Sequence, residues 1–75
     1  MLSIRLQRAD HVRQYSIRPA RGAGWEVSLE EDRAVTRQVR YDDWHRVERA
    51  EAMLRREVAD LTEQGWTVLD SSSVV

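Results

Sequence analysis

The hydrophobic pattern of the chain changes its period near residue 43, and this change limits the folds that the chain can adopt. Before this point apolar and polar residues alternate with a period of two, as they do in half-buried strands. After it, apolar residues recur with the 3.6-residue period of an amphipathic helix. The sequence therefore predicts an α+β domain of two layers, in which a sheet is covered by one long C-terminal helix.

The segments ahead of the change carry the alternating pattern of strands. Two of them, "WEVSLE" and "AVTRQVRY", are separated only by "EDR" at 31–33, which predicts an antiparallel hairpin. The earlier segment "VRQYSIRP" should end at Pro19, because proline cannot donate to a sheet hydrogen bond. Residues 1–10 alternate as well, and we expect there either a further strand or a loosely ordered end. The prediction is an antiparallel meander of three to four strands.

The helix is predicted over about 43–64, with signals at both ends. Asp43 has the side-chain oxygen with which an N-cap accepts a hydrogen bond from the first turn. Gly65 stands where a left-handed residue closes a Schellman motif, with Leu61 and Trp66 as the accompanying apolar contact. A short final strand at 66–69 is the last expected element, and 71–75 are expected to be loosely ordered.

The aromatic residues share the phase of the aliphatic ones. Large rings are needed inside so small a chain, so all three tryptophans are expected between the helix and the sheet. The predicted core consists of Tyr15, Trp25, Val27, Leu29, Val39, Trp44, Leu54, Val58, Leu61 and Trp66.

Length and composition place limits on the class of protein. The chain has 75 residues and no cysteine, so we expect a single domain over 1–75 without disulfides or thiolate metal sites. No apolar run approaches the roughly 20 residues that cross a membrane, and residues 1–10 lack a signal-peptide core, which favours a cytoplasmic protein. All twelve basic residues are arginine and lysine is absent, a bias typical of a GC-rich bacterial genome.

The cluster Asp42-Asp43-Trp44-His45 contains the residue types of an acid–base or metal site, but the start of a helix explains it. Carboxylates near a helix N-terminus are stabilised by the helix dipole. His45 and Glu48 would supply only two metal ligands, fewer than a structural site needs. Neither a nucleophile motif nor a phosphate loop is present. We therefore expect no catalytic, cofactor-binding or metal-binding residues, and no enzymatic activity.

Charge gives little support to nucleic-acid binding. Thirteen acidic residues outnumber the twelve arginines, for a formal net charge of −1, whereas phosphate backbones attract basic surfaces. The preferred function is a non-enzymatic protein-interaction module with an unknown protein partner, and a nucleic-acid-binding accessory protein is the alternative. The expected interaction residues are His45, Arg49 and Arg56 on the helix and Arg18, Arg37 and Arg40 on the strands.

The order of elements, a meander followed by a helix that ends in "QGW", resembles the WGR domain, a module associated with DNA repair proteins. The resemblance spans residues 15–69 and is one of architecture. The Trp-Gly-Arg motif of that family is absent, so no functional residue is carried over. What the resemblance implies is a tilt towards nucleic-acid binding.

Self-association is also expected. A helix of about 21 residues is about 31 Å long, whereas four strands span less than about 20 Å, so a helix laid across them would overhang. The apolar overhang, or an open sheet edge at strand 2–7, would need a cover. A symmetric homodimer supplies one.

Overall fold

A computed structural model of the chain describes residues 2–73, apart from the side chain of Ser73. Its elements are β1 (Leu2–Arg8), β2 (His11–Pro19), β3 (Trp25–Glu31), β4 (Ala34–Tyr41), α1 (Trp44–Glu63) and β5 (Thr67–Ser73). The strands form one antiparallel sheet in the order β4-β3-β2-β1-β5, and α1 packs on one of its faces. The α+β class is confirmed. Two details are corrected: there are five strands rather than three or four, and the helix lies between β4 and β5 rather than at the C-terminal end.

The position of β1 accounts for both corrections. β1 lies inside the sheet, paired with β2 on one side and with β5 on the other, so residues 2–8 are neither loosely ordered nor an open edge. The backbone amides and carbonyls on its second side need partners, and the seven residues of β5 supply them. β5 therefore continues through Ser71–Ser73, where polar side chains predicted a loose end. Met1, Val74 and Val75 lie outside the described residues.

Two tight turns close the hairpins at one end of the sheet. Asp32 and Arg33 join β3 to β4 with φ values of 50° and 72°, in the left-handed region that two-residue hairpin loops require. Ala9 and Asp10 join β1 to β2, and Ala9 also has a positive φ, of 53°. The turn between β3 and β4 falls where the sequence predicts it.

A bulge in the β3–β4 hairpin changes which residues of β4 face the helix. The register shifts between Leu29 and Glu30, so that Leu29 pairs with Arg37 while Glu30 pairs with Val35. Thr36 is the extra residue of the bulge. As a result Val35 lies on the face away from α1, although simple alternation from Val39 would place both valines on the helix side.

Both ends of α1 are closed as their sequence predicts. The Asp43 carboxylate accepts a hydrogen bond from the backbone N–H of His45 over 2.9 Å. At the other end Gly65 has a φ of 99°, and the N–H of Trp66 donates to the carbonyl of Leu61 over 2.9 Å, the bond that defines a Schellman motif.

A core of buried apolar residues lies between α1 and the middle of the sheet. α1 contributes Val47, Leu54 and Leu61, which are seven residues apart and so lie two turns apart along one line. They pack on Leu2, Ile4 and Leu6 of β1, on Tyr15 and Ile17 of β2, and on Leu29 of β3.

The tryptophan rings lie around this core rather than within it, contrary to the sequence prediction. Trp25 and Trp66 are partly buried against the core, whereas Trp44 is 45% exposed. Trp44 contacts Trp25, with ring centroids 5.0 Å apart and planes tilted by 58°. Val39, also predicted for the core, is 39% exposed on the edge strand. The aliphatic side chains of β1 occupy the space that the rings were expected to fill.

Truncating the core should be more damaging than truncating the exposed indole. Leu6→Ala should lower the free energy of unfolding by about 2–5 kcal/mol, because Leu6 is fully enclosed. Trp44→Ala should cost distinctly less, since nearly half of the ring is already in water. Urea denaturation of the two variants compares their losses in free energy of unfolding. A greater loss for Trp44→Ala would show that the indole contributes more to the stability of the core than its exposure indicates.

Removing the helix cap should have a moderate effect. Asp43→Ala should lower the free energy of unfolding by about 1 kcal/mol, because the amide of His45 loses its acceptor. Asp42→Ala is the matched control, because it removes the neighbouring carboxylate. That carboxylate is almost fully exposed, and its contact with Arg40 is long, at 4.0 Å. That variant should stay within about 0.5 kcal/mol of the wild type. Equal losses would contradict the capping role.

Candidate interaction surface

A narrow apolar groove runs between α1 and the edge strand β4. Its volume is about 100 Å³, and its apolar lining consists of the side chains of Val27, Val39, Tyr41, Ala50, Met53 and Leu54, with Tyr15 and Leu29 beneath. We call it the β4 groove. Its rim is open apolar surface: Met53 is 68% exposed and Val39 is 39% exposed. Fully burying such a side chain is worth about 1.5–3 kcal/mol, so a partner that covered the rim would gain stability from it.

The sequence of α1 explains why the groove is present. Met53 precedes the buried Leu54 by one residue, which turns its side chain about 100° away from the core and towards β4. Ala50, three residues earlier, has too small a side chain to fill the space above the sheet. Sequence analysis missed Met53 because it belongs neither to the apolar stripe nor to a charged set. Met53 could have been found in the sequence as a large apolar residue among mainly polar residues on that side of the helix.

β4 is also a free edge of the sheet. It pairs with β3 only, so the outward amides and carbonyls of Ala34–Tyr41 have no strand partner within residues 2–73. A free edge can take up another strand, and charged residues on it restrict which strand is accepted. β4 carries Arg37 and Arg40 and no acidic residue.

An ion pair closes one end of the groove. The Arg37 guanidinium donates to both carboxylate oxygens of Glu57, over 3.1 and 3.5 Å. These hydrogen bonds raise the pKa of Arg37, so its guanidinium stays charged. Each charge is already neutralised by the other.

The hydroxyl of Tyr15 lies beneath this ion pair and is enclosed. Tyr15 is only 2% exposed, and its oxygen has no hydrogen-bond partner among the described residues. Burial raises the pKa of Tyr15, with the Glu57 charge acting in the same direction, so the phenol stays protonated. A cleft of about 220 Å³ next to it is lined by charged residues of both signs, including Arg13 and Asp60. The charges of the cleft therefore select neither an anion nor a cation.

Three of the residues predicted for an interaction surface lie together on α1. His45, Arg49 and Arg56 are exposed and fall within about 40° of one another around the helix axis, on the side away from the sheet. The Nδ1 atom of His45 is 3.9 Å from the carboxylate of Glu48, a contact between two solvated side chains.

The other three predicted residues are divided between the two faces of the sheet. Arg18 and Arg40 lie on the open face, where Arg18 donates to Glu26 over 2.9 Å and Arg40 donates to the carbonyl of Ala23 over 2.6 Å. The bond from Arg18 lowers the pKa of Glu26. Arg37 lies on the opposite face with Glu57. The structure therefore does not assemble the strand arginines into one basic patch.

The open face of the sheet is polar and carries both signs of charge. Cross-strand pairing aligns Ser3, Ser16, Ser28 and Ser72 in one row, and the hydroxyls of Ser16 and Ser28 are 2.7 Å apart. Beside this row lies a shallow depression of about 440 Å³ whose lining includes Arg5, Glu30 and Arg33. The aromatic residues of the strands, Tyr15, Trp25 and Tyr41, lie on the helix face, so this face offers no ring on which a base would stack.

A histidine–carboxylate pair joins the two hairpin turns. Nδ1 of His11 lies 3.0 Å from one carboxylate oxygen of Asp32, and the other oxygen accepts the N–H of Val12 over 2.9 Å. We call this arrangement the turn clasp. Asp10 is more distant, 3.8 Å from Nε2 of His11. No group of three or more potential metal ligands occurs in residues 2–73.

Comparison with protein-family models, with curated proteins and with solved structures finds no significant match, so the resemblance to the WGR domain gains no support. No helix in the described part of the chain is long and apolar enough to cross a membrane.

The turn clasp should make stability depend on pH. The hydrogen bond to Asp32 raises the pKa of His11, so the contribution of His11 is complete below its unfolded pKa of 6.5 and is lost as the pH rises through the folded value. The bond from His11 lowers the pKa of Asp32, whose contribution is complete above its unfolded pKa of 3.8 and is lost as the pH falls through the folded value. The clasp should therefore stabilise the fold most at pH values between the unfolded pKa of Asp32, 3.8, and that of His11, 6.5.

The variant Asp32→Asn isolates the charge, because an amide oxygen can still accept the N–H of Val12. The wild type should have a higher urea midpoint than Asp32→Asn. This difference should be larger at about pH 5 than at about pH 9, where His11 is neutral. In NMR titration the pKa of His11 should fall in the variant. A midpoint difference that is the same at both pH values would show that the clasp acts without charge.

Proposed function

We propose that this chain is a non-enzymatic protein-interaction module that binds its partner through the β4 groove and the free edge of β4. The observation that carries the proposal is the exposure of Met53 beside an apolar groove on the same side as an unpaired sheet edge. Apolar side chains that converge on a concave surface are typical of sites where a partner supplies the missing contacts.

The chemistry of the groove supports binding rather than turnover. Its open lining is mainly aliphatic and aromatic, and its two charged residues, Arg37 and Glu57, already neutralise each other. The pair at His11 and Asp32 lies on a turn at the end of the sheet and is solvated, so it belongs to a different region. A protein partner is favoured over nucleic acid because the open face alternates basic and acidic side chains, as in the Arg18–Glu26 pair.

A photo-crosslinking residue at position 53 tests this function. With benzoylphenylalanine in place of Met53, irradiation in cells of the organism that encodes the chain should give adducts of defined mass, because the side chain points into the contact. The matched control carries the same group at Ala52, which is exposed and lies more than about 90° away around the helix. Position 52 should give few adducts. Equal labelling at both positions, or adducts with nucleic acid alone, would refute the proposal.

A further inference from the structure

On the side of α1 beside the β4 groove, the side chains are basic before Met53 and acidic after it. Arg46 and Arg49 precede Met53 by seven and four residues, and Glu57 and Asp60 follow it by four and seven. These intervals keep all five residues on one side of the helix. Glu57 contacts Arg37 of β4 and Met53 lines the groove with Val39, so the part of this side nearest the sheet faces β4, while Arg49 lies at its margin away from the sheet. We call it the Met53 flank.

The Met53 flank matches a copy of itself that runs in the opposite direction. A two-fold axis at Met53 sets Met53 against its equivalent, Arg46 opposite Asp60, and Arg49 opposite Glu57. A uniformly acidic or basic partner would be attracted by one half of the flank and repelled by the other. Since an interface on a two-fold axis must be complementary to itself, the charges favour a second copy of this chain.

We propose that the Met53 flank and the β4 edge form the interface of a two-fold homodimer. This inference rests on the proposed function and narrows the partner to the chain itself. Arg46, Arg49 and Asp60 form no ion pair within residues 2–73, so their charges are free to engage the second copy. Glu57 already binds Arg37 of its own chain, and in the dimer it would also contact Arg49 of the second copy.

The geometry of the sheet is compatible with this axis. A two-fold normal to the sheet turns α1 onto a line parallel to itself, so the two helices run antiparallel side by side and the two β4 edges meet antiparallel. α1 approaches both β3 and β4, so the Met53 flank lies on the side of the sheet at which the second copy would pair.

A register centred on Val39 also avoids conflict between the edge arginines. Val39 then faces its equivalent, Arg37 faces Tyr41, and Gln38 faces Arg40, so no arginine is directly opposite another. Val39 and Met53 of both copies would close the two grooves into one apolar centre. The sheet would become continuous over ten strands.

Sedimentation velocity on the full chain tests the dimer. From about 1 to about 500 µM the 8.8 kDa chain should shift to twice its mass. Met53→Glu should be monomeric, because it sets two carboxylates against each other at the axis. It should still fold, because Met53 is exposed. Ala52→Glu, about 100° away around the helix, should dimerise like the wild type. A monomeric wild type, or a dimeric Met53→Glu variant, overturns the proposal.

A charge exchange tests the direction of the pairing. Arg46→Glu alone and Asp60→Arg alone should each raise the dimer Kd about tenfold or more, because each variant places like charges together twice in its homodimer. An equimolar mixture of the two should recover a heterodimer of near wild-type Kd, since each altered residue then meets an opposite charge. Failure of the mixture to recover would refute the antiparallel pairing. If the wild type is monomeric and position 53 crosslinks a different protein, the homodimer is wrong while the proposed function stands.

Discussion

Leu2, Ile4 and Leu6 form the most completely buried row of the molecule, and the rest of the architecture serves to keep this row from water. Their strand, β1, has hydrogen-bonded neighbours on both sides, so both its backbone and its apolar face are withdrawn from solvent. A strand enclosed in this way needs a cover above it and a partner at each edge. α1 provides the cover, and β5 exists because the second edge of β1 would otherwise carry unpaired amides and carbonyls.

The way in which α1 covers the row also determines what stays exposed. Val47, Leu54 and Leu61 recur every seven residues, which gives a narrow line of contact rather than a broad apolar face. Side chains only 100° away from that line escape burial, and Met53 is the large apolar one on the β4 side. The core and the proposed interface are therefore two consequences of one helical spacing. A broader apolar stripe would have filled the β4 groove from within.

Much of the fold was predictable because its signals are local. The caps at Asp43 and Gly65, the two hairpin turns and the strands 25–31 and 34–41 each depend on neighbouring residues whose preferences agree. The pairing of β1 with β5 was not predictable in this way, because it joins segments some sixty residues apart and the serines of β5 resemble a loop. The bulge that moves Val35 to the open face is likewise invisible in the alternating pattern.

The candidate surface was harder to predict than the fold. Five of the six residues that the sequence singled out are arginines, yet Arg18 and Arg37 are already paired with Glu26 and Glu57. Sequence analysis weights charge because a charged residue is conspicuous, whereas the groove depends on the small side chain of Ala50 and on which side of α1 lies over β4. Such relations exist only after the layers are placed together.

The pairing of β1 with β5 has a consequence for the order in which the molecule is made. Leu2 lies opposite Ser73, so β1 gains its second partner only after the whole of α1 has been synthesised. During translation β1 can pair with β2, but it keeps an open apolar edge until Thr67–Ser73 have followed. The nascent sheet therefore stays incomplete until β5 has been made. The same proximity of the first and last strands makes the loop at 20–24 a natural place to open a circularly permuted chain.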